Sequence, residues 1–358
     1  MRLEKVTKEN RRQFIQFYRN QYLNKDNKRN SGNRIVEDIV KGKSILSRSV
    51  GLEPVMIVDG DKILMAAIIA HAQRMDDILQ IAFFESLEYN GDAFELLFNH
   101  AKELAVEKGV SKISASLNIH VNYGLGFLDD GSDKWQSFGS SHNPPFYNKY
   151  FQDRGFDQIN LVSFYRELDS LEDIISEKLE KKLDDTYRVR TCDFRNFKKE
   201  IELYSQVNNI AFAEHPFYYE RDTEEDWELF KDFKYLLKEE NLLFIEKDNE
   251  TIGFLLWYPD FNKLIKPNES LGLKTVVRNR LFPERINGMK IVEIGVIPSE
   301  WNKGAILALF NDLHKRVRGK YDYFESSWIL EENKKSLGLG LRWMGEEYKT
   351  YKAYLLNI

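Results

Sequence analysis

The residues with the most chemistry to offer lie between Lys290 and Phe310, in KIVEIGVIPSEWNKGAILALF. The mostly β-branched run Ile291, Val292, Ile294, Val296 and Ile297 predicts a strand, in which Gly295 permits a bulge and Pro298 ends the ladder. A helix is expected next, with Ser299 as its N-cap and Ala305, Ile306, Leu309 and Phe310 opening its apolar face. The turn from Ile297 to Gly304 then presents unpaired backbone N–H groups where the helix dipole is positive, a setting that suits a phosphate. Gly304 allows close backbone approach, and Lys303 adds a full charge. The same residues also describe an ordinary strand-turn-helix with a packing glycine, so both readings stand on this stretch alone.

The elements that position this stretch belong to a chain of 358 residues, long enough for two domains with their own cores. A hydrophobic fraction of 42% and a charged fraction of 30% describe a globular protein. The net charge of -5 carries no polyanion-binding signature, so nucleic acid is not expected as a partner. Cys192 is the only cysteine, which excludes an intramolecular disulfide and a cysteine zinc cluster and fits a reducing compartment. No metal site is expected. The N-terminus is charged throughout and no apolar run approaches a membrane-spanning length, so a cytoplasmic protein without a membrane partner is expected.

In chain order, periodicity predicts a strand at 2–6, a helix from Thr7 to Leu23, and a basic loop from Asn24 to Arg34. A hairpin turns at Asp59, Gly60 and Asp61, a strand covers Gln80 to Phe84, a helix runs from Asp92 to Lys108, and a strand follows at Lys112 to Leu117. A long polar loop, 118–143, leads into an aromatic helix around Tyr147 and Tyr150 and a strand at Leu161 to Arg166. The same order then repeats: strand, helix at Phe197 to Ala211, hairpin around Lys247 to Glu250, an insertion from Pro259 to Gly288, the opening stretch, and closing elements to Leu356. Two copies with separate insertions point to a duplicated α/β unit of mixed sheet (α+β). The expected organisation is residues 1–168, a charged helical linker 169–185, and residues 186–358.

Nearly the whole chain resembles the bacterial tandem-GNAT, N-acyltransferase-like proteins. In the first half the resemblance rests on Asn118, Asn122, Gly124, Leu125, Asp130 and Gly131, then Asn143-Pro144-Pro145-Phe146-Tyr147 ahead of Gly155-Phe156. In the second it rests on Pro259-Asp260-Phe261-Asn262, the Val296 to Leu307 segment, Ser327-Trp328-Ile329-Leu330-Glu331 with Asn333, and the terminal Tyr348 to Lys352 run. The resemblance implies two GNAT domains with acetyl-CoA or another acyl-CoA held by the second. The strand residues Ile294, Gly295 and Val296 and the turn residues Trp301, Asn302, Lys303, Gly304, Ala305 and Ile306 would do the holding. Trp301 stands where the family carries Arg or Gln, and Ile306 where it carries Gly or Ala. The first half, from Glu85 to Ala93, lacks a comparable glycine-rich basic turn, so no cofactor is assigned to it.

Acyl transfer to an amine needs a base for the acceptor, donors for the thioester carbonyl and a proton for the departing thiolate. Glu293 is the candidate base; strand alternation groups it with Ile291 and Gly295, and a solvated or ion-paired role explains it equally well. Gly340 lies near the place of the family's acidic tyrosine in the second half, which leaves the acid unassigned, while Tyr150 matches that place in the first half. Asp260, Asn262, Asn118, Asn143 and Tyr150 are candidates to line an acceptor pocket, with turn formation or local amide bonding as the alternative for the polar ones. His215 is a further substrate-binding candidate, with a structural or surface role as its alternative. The expected function is CoA-dependent transfer, most simply of acetyl, to the primary amine of a small molecule or peptide. The alternatives are a non-catalytic GNAT-fold binding protein and a peptidoglycan-type aminoacyl transferase.

Overall fold

The computed structural model describes residues 1–168 and 175–358. Residues 169–174 of the expected linker fall outside the described residues; the rest of it forms the helix α5 (Glu177–Asp184) once the preceding elements are counted. Those are β1 (Arg2–Lys5), α1 (Arg11–Asn20), α2 (Asn33–Val40), β2 (Val50–Asp59), β3 (Lys62–Ala72), β4 (Ile78–Ser86), α3 (Gly91–Lys108), β5 (Lys112–Ala115), β6 (Phe127–Asp130), α4 (Tyr147–Gln152) and β7 (Asp157–Glu167). After α5 come β8 (Arg188–Thr191), α6 (Phe197–Ala211), α7 (Thr223–Phe233), β9 (Leu242–Lys247), β10 (Glu250–Pro259) and α8 (Leu273–Leu281). The chain finishes with β11 (Gly288–Val296), α9 (Ala305–Val317), β12 (Tyr323–Ser326), β13 (Ile329–Leu330), α10 (Lys334–Leu339) and β14 (Glu346–Asn357).

Local chemistry explains most boundaries. The Asn90 side chain accepts from Ala93 N–H at the start of α3, and Gly109 ends it at φ 66. β3 is apolar almost throughout, as a strand covered on both faces must be. Three helices, α2, α7 and α8, were not expected. α2 is only eight residues long, and α7 carries a legible signal, the Asp222 and Glu225 capping box. α9 begins at Ala305 with Gly304 as its N-cap; Ser299 instead sits in a short 3-10 turn, Pro298–Glu300, which corrects its expected capping role.

Among the described residues the strands form one sheet in the order β1-β2-β3-β4-β5-β14-β7-β12-β11-β10-β9-β8, with β6 on β14 and β13 on β7. The centre of this sheet is a reciprocal exchange. β14, the last strand of the chain, pairs with β5 through Tyr354 and Ala115, whereas β7 pairs with β12 through Glu167 and Tyr323. The exchanged strands then pair with each other from Glu346 and Tyr165 to Leu355 and Asp157. Four apolar clusters fill the two faces of the two halves. On the second half, Leu309, Phe310 and Leu313 of α9 pack one face, and Ile201 and Tyr204 of α6 with Phe230 of α7 pack the other.

Each half contains one parallel neighbour pair joined by a long helix. β4 and β5 pair from Ile78 with Lys112 to Ile81 with Ala115, and β11 and β12 from Gly288 with Tyr323 to Ile291 with Ser326. Beyond these pairs the strands part, which leaves a wedge at their carboxyl ends.

Candidate active site

The second-half wedge is built on a β-bulge. Leu256 opposes Glu293 and Trp257 opposes Ile291, so Val292 is the extra residue. Ile291 packs into the α9-side cluster, Val292 packs against the α6-side cluster, and Glu293 also turns to the α6 side, where the Tyr204 hydroxyl donates to its Oε2. Gly295 lies on that same side, facing Phe254 and Ala211. The expected grouping of Glu293 with Gly295 therefore holds and its grouping with Ile291 does not, because the inserted residue shifts the alternation by one. From Val292 to Val296, β11 has no partner strand on its β12 side among the described residues.

Glu293 lines a cavity of about 1250 Å³ between the halves. Burial pushes its carboxyl above the usual range, against the pull of the Arg221 guanidinium and the hydrogen bond from Tyr204. Arg221 is itself buried and ion-paired with Asp226 at 2.6 Å, and Asp226 accepts from Ser205 Oγ at 2.5 Å. Asn122, from the first-half loop, sets its amide against the same guanidinium. Tyr204, Arg221 and Asp226 were missed in the sequence because nothing local ties them to a residue some 70 to 90 positions later.

The expected cofactor residues divide. Ile294 and Ile306 line the cavity, whereas Gly295, Val296, Trp301, Asn302, Lys303, Gly304 and Ala305 continue beyond its wall. The N-terminus of α9 carries no side-chain cap, so its first N–H groups stay available. Trp301 turns its indole back on its own strand, donating to the Val296 carbonyl at 2.7 Å, and Lys335 rests 5.0 Å from the ring centre. Gly304 has φ 104, and a Cβ there would meet Leu183 of α5 at 2.8 Å. Its close neighbour is thus a packed leucine, and the Tyr187 hydroxyl donates to the Lys303 carbonyl at 3.1 Å beside it.

The expected acceptor residues also divide. Asn118 and Asn143 line the cavity, although each amide is engaged: Asn118 Oδ1 accepts from Phe83 N–H at 2.7 Å, and Asn143 Oδ1 from Leu128 N–H at 2.6 Å. Asp260 and Asn262 do not line it. They hold the first-half loop in place, Asp260 accepting from Trp135 Nε1 at 2.6 Å and Phe138 N–H at 2.9 Å, and Asn262 donating to the Gln136 carbonyl at 2.9 Å. Burial raises the Asp260 carboxyl to about 6. Tyr150 is fully buried and cannot reach a ligand; its hydroxyl accepts from Asn90 N–H at 2.7 Å and donates to the Glu88 carbonyl at 2.8 Å. With Tyr147 accepting from Ser86 N–H at 2.6 Å, these tyrosines occupy the donors of the first-half turn.

Further polar groups reach the cavity wall. Lys290 donates to Ser140 Oγ at 2.7 Å, and burial lowers its ammonium to about 8. His215 and His142 both line the cavity, with Nε2 and Nδ1 respectively lacking a hydrogen-bond partner among the described residues. Burial pushes both imidazoles down to about 4, so they are neutral at pH 7. Gly340, near the expected place of an acid, packs on the Phe164 ring, and no tyrosine stands in α10 or the π-turn that follows it.

No protein-family model matches the chain. It is 21% identical over 271 residues to the bacterial ceramide synthase of Caulobacter vibrioides, covering 73% of this chain and 71% of that protein. It is 24% identical over 274 residues to protein YghO of Escherichia coli, covering 73% and 70%. Among solved structures, a tandem GNAT protein from the clavulanic acid biosynthesis pathway superposes with a TM-score of 0.56 at 12% identity, over 99% of this chain and 98% of that one. A GCN5-related N-acetyltransferase from Sphaerobacter thermophilus superposes with a TM-score of 0.51 at 11% identity, over 91% and 85%. The mixed sheet, the two splayed parallel pairs and the end-to-end superposition give this chain the tandem GNAT fold.

Proposed function

We propose that the chain transfers an acyl group from an acyl-CoA thioester to the primary amine of a long-chain, amphiphilic acceptor, with Glu293 as general base. The observation that carries the reading is the position of Glu293: a carboxylate on a bulge, at the open wedge of β11, facing a cavity shared by both halves. The residues present fit the donor. The unpaired edge of β11 from Ile294 to Val296 offers backbone groups to a pantetheine arm, and the uncapped N-terminus of α9, with Lys303 and Lys335 nearby, suits its phosphates. Bound there, acyl-CoA supplies an activated carbonyl. Glu293 takes the proton that the acceptor ammonium must lose, and its raised carboxyl pKa brings it closer to the neutral range in which a base works best. Tyr204 holds the carboxylate in place.

Two observations support a long acceptor over a small amine. The cavity exceeds the roughly 300–1,000 Å³ of a common small-molecule site. A ceramide, the product named for the Caulobacter relative, is the amide of a long-chain amino alcohol. Release of free CoA thiol from palmitoyl-CoA and acetyl-CoA, each with a long-chain amino alcohol or a short amine, tests the reading. Amide formation is expected to be fastest with the long acceptor. The packing of Gly304 against Leu183, which crowds the turn expected to cradle the phosphates, favours a second reading, a non-catalytic GNAT-fold binding protein, which acceptor binding in the absence of product would support.

A further inference from the structure

The second-half insertion contains α8, and this helix is built the wrong way round for a helix that faces water. Its outward stripe is apolar: Leu273 is 78% exposed, Val277 45% and Leu281 63%, at i, i+4 and i+8, with Tyr235 of the neighbouring segment 60% exposed. A surface helix normally turns polar residues outward and buries such a stripe. Cations flank the stripe. Lys274 lies on one side, its exposed ammonium 3.3 Å from Glu269, a carboxylate already shared with Arg278, and on the other Arg280 has no hydrogen-bond or ion-pair partner among the described residues. Arg285 follows, stacked on Phe282 at 4.4 Å.

The charge of this region runs against that of the chain. From Pro259 to Gly288 there are six Lys and Arg against three Asp and Glu, in a protein of net charge -5, and one of the three, Asp260, is buried against the first-half loop. The basic loop of the first half packs beside the insertion, with Leu271 N–H donating to the Asn30 carbonyl at 2.9 Å and Asn30 Nδ2 to Ser270 Oγ at 2.7 Å. Leu273, Val276, Arg280 and Tyr235 also line the cavity, so the apolar and basic face forms part of its rim.

We infer that the α8 face docks on an anionic lipid bilayer surface and turns the mouth of the cavity toward the lipid. An apolar stripe a few ångströms deep, flanked by cations, is the pattern of a helix that lies in a membrane interface. No described helix is long and apolar enough to cross a membrane, and surface docking needs none. An amphiphilic molecule leaving the bilayer then enters the cavity past Leu273 and Arg280 without crossing water.

The test is co-sedimentation of the purified full chain with protein-free vesicles, either pure phosphatidylcholine or with roughly a third phosphatidylglycerol. Binding to the anionic vesicles is expected, weakened by high salt and by at least about tenfold in Leu273→Ser/Val277→Ser/Leu281→Ser. The charge variant Lys274→Glu/Arg280→Glu is expected to lose the preference for anionic lipid. Both sets of side chains are exposed, so thermal melting should match the wild type and exclude misfolding as the cause. A wild type that ignores anionic vesicles, as it would if this face served a protein partner, overturns the inference; so does unchanged binding by the triple variant. Binding is read without turnover, so it stands or falls separately from acyl transfer.

Discussion

The Tyr204 hydroxyl donates to Oε2 of Glu293, joining the middle of α6 to the bulge of β11. This bond favours the charged carboxylate, while burial opposes it. Removing the donor in Tyr204→Phe should raise the Glu293 pKa further. The acid limb of the kcat/KM profile should then move to higher pH, with the rate on the alkaline plateau reduced less than the rate at pH 6. An unmoved limb would separate Glu293 from the ionisation that controls the rate.

Asp260 gives a pH dependence of stability with a defined sign. Its folded value of about 6 lies above the ordinary 3.8, so its contribution is fully present below about pH 4 and is lost as pH rises through 6. The size of that loss is on the order of 3 kcal/mol. Asp260→Asn, which cannot ionise, should flatten this part of the slope when urea midpoints are compared with the wild type at pH 4.5 and 7. A parallel pair of pH profiles would show that Asp260 titrates normally.

Lys303 is a cleaner probe of the phosphate turn than Gly304. Gly304→Ala meets Leu183 and forces a side chain to φ 104, so it should destabilise the protein by about 1–3 kcal/mol whatever the turn binds. Lys303 is exposed and its carboxylate neighbour Glu300, 3.4 Å away, keeps Lys247 at 3.0 Å, so Lys303→Glu should lower stability by no more than about 1 kcal/mol. Calorimetric affinity for acyl-CoA should nevertheless fall by about tenfold, from placing a negative charge beside the phosphates. Equal affinities would move the phosphates away from this turn.

The exchange of β7 and β14 makes each half dependent on the other. Removal of residues 346–358 takes a partner from β5, β6 and β7 and leaves strand edges on both sides of the gap unpaired. The truncated chain should lose cooperative unfolding and aggregate, as seen by light scattering during a urea titration. A soluble fragment with one intact transition would show that the exchanged strand is dispensable.

Most of the order of strands and helices was legible because the apolar periods are long and their ends are marked, by Asn90 and Gly109 around α3 and by Asp248 and Asn249 at the second hairpin, whereas α2, α7, α8 and β6 are short elements inside polar stretches. The exchange was not, because β14 reaches β5 across 239 to 245 positions and nothing local records that pairing. Glu293 was legible as a carboxylate on the strand that became β11. Its face was not, since one bulged residue at Val292 reverses the alternation. Asp260 and Asn262 read as pocket residues because their motif is polar, yet their partners are the indole and backbone groups of a loop about 125 residues earlier. Tyr150 fits its motif, and only the packed structure shows its hydroxyl already bonded to Asn90 and Glu88.

The measurement that bears most directly on the central claim is turnover of palmitoyl-CoA with a long-chain amino alcohol by wild type and Glu293→Gln, alongside calorimetric affinity for the donor. The account predicts an amide product from the wild type, a loss of about 10²–10⁴-fold in kcat for the variant, and nearly unchanged donor affinity. Equal turnover by both proteins, or a wild type that binds the donor and forms no amide with any amine, would contradict it.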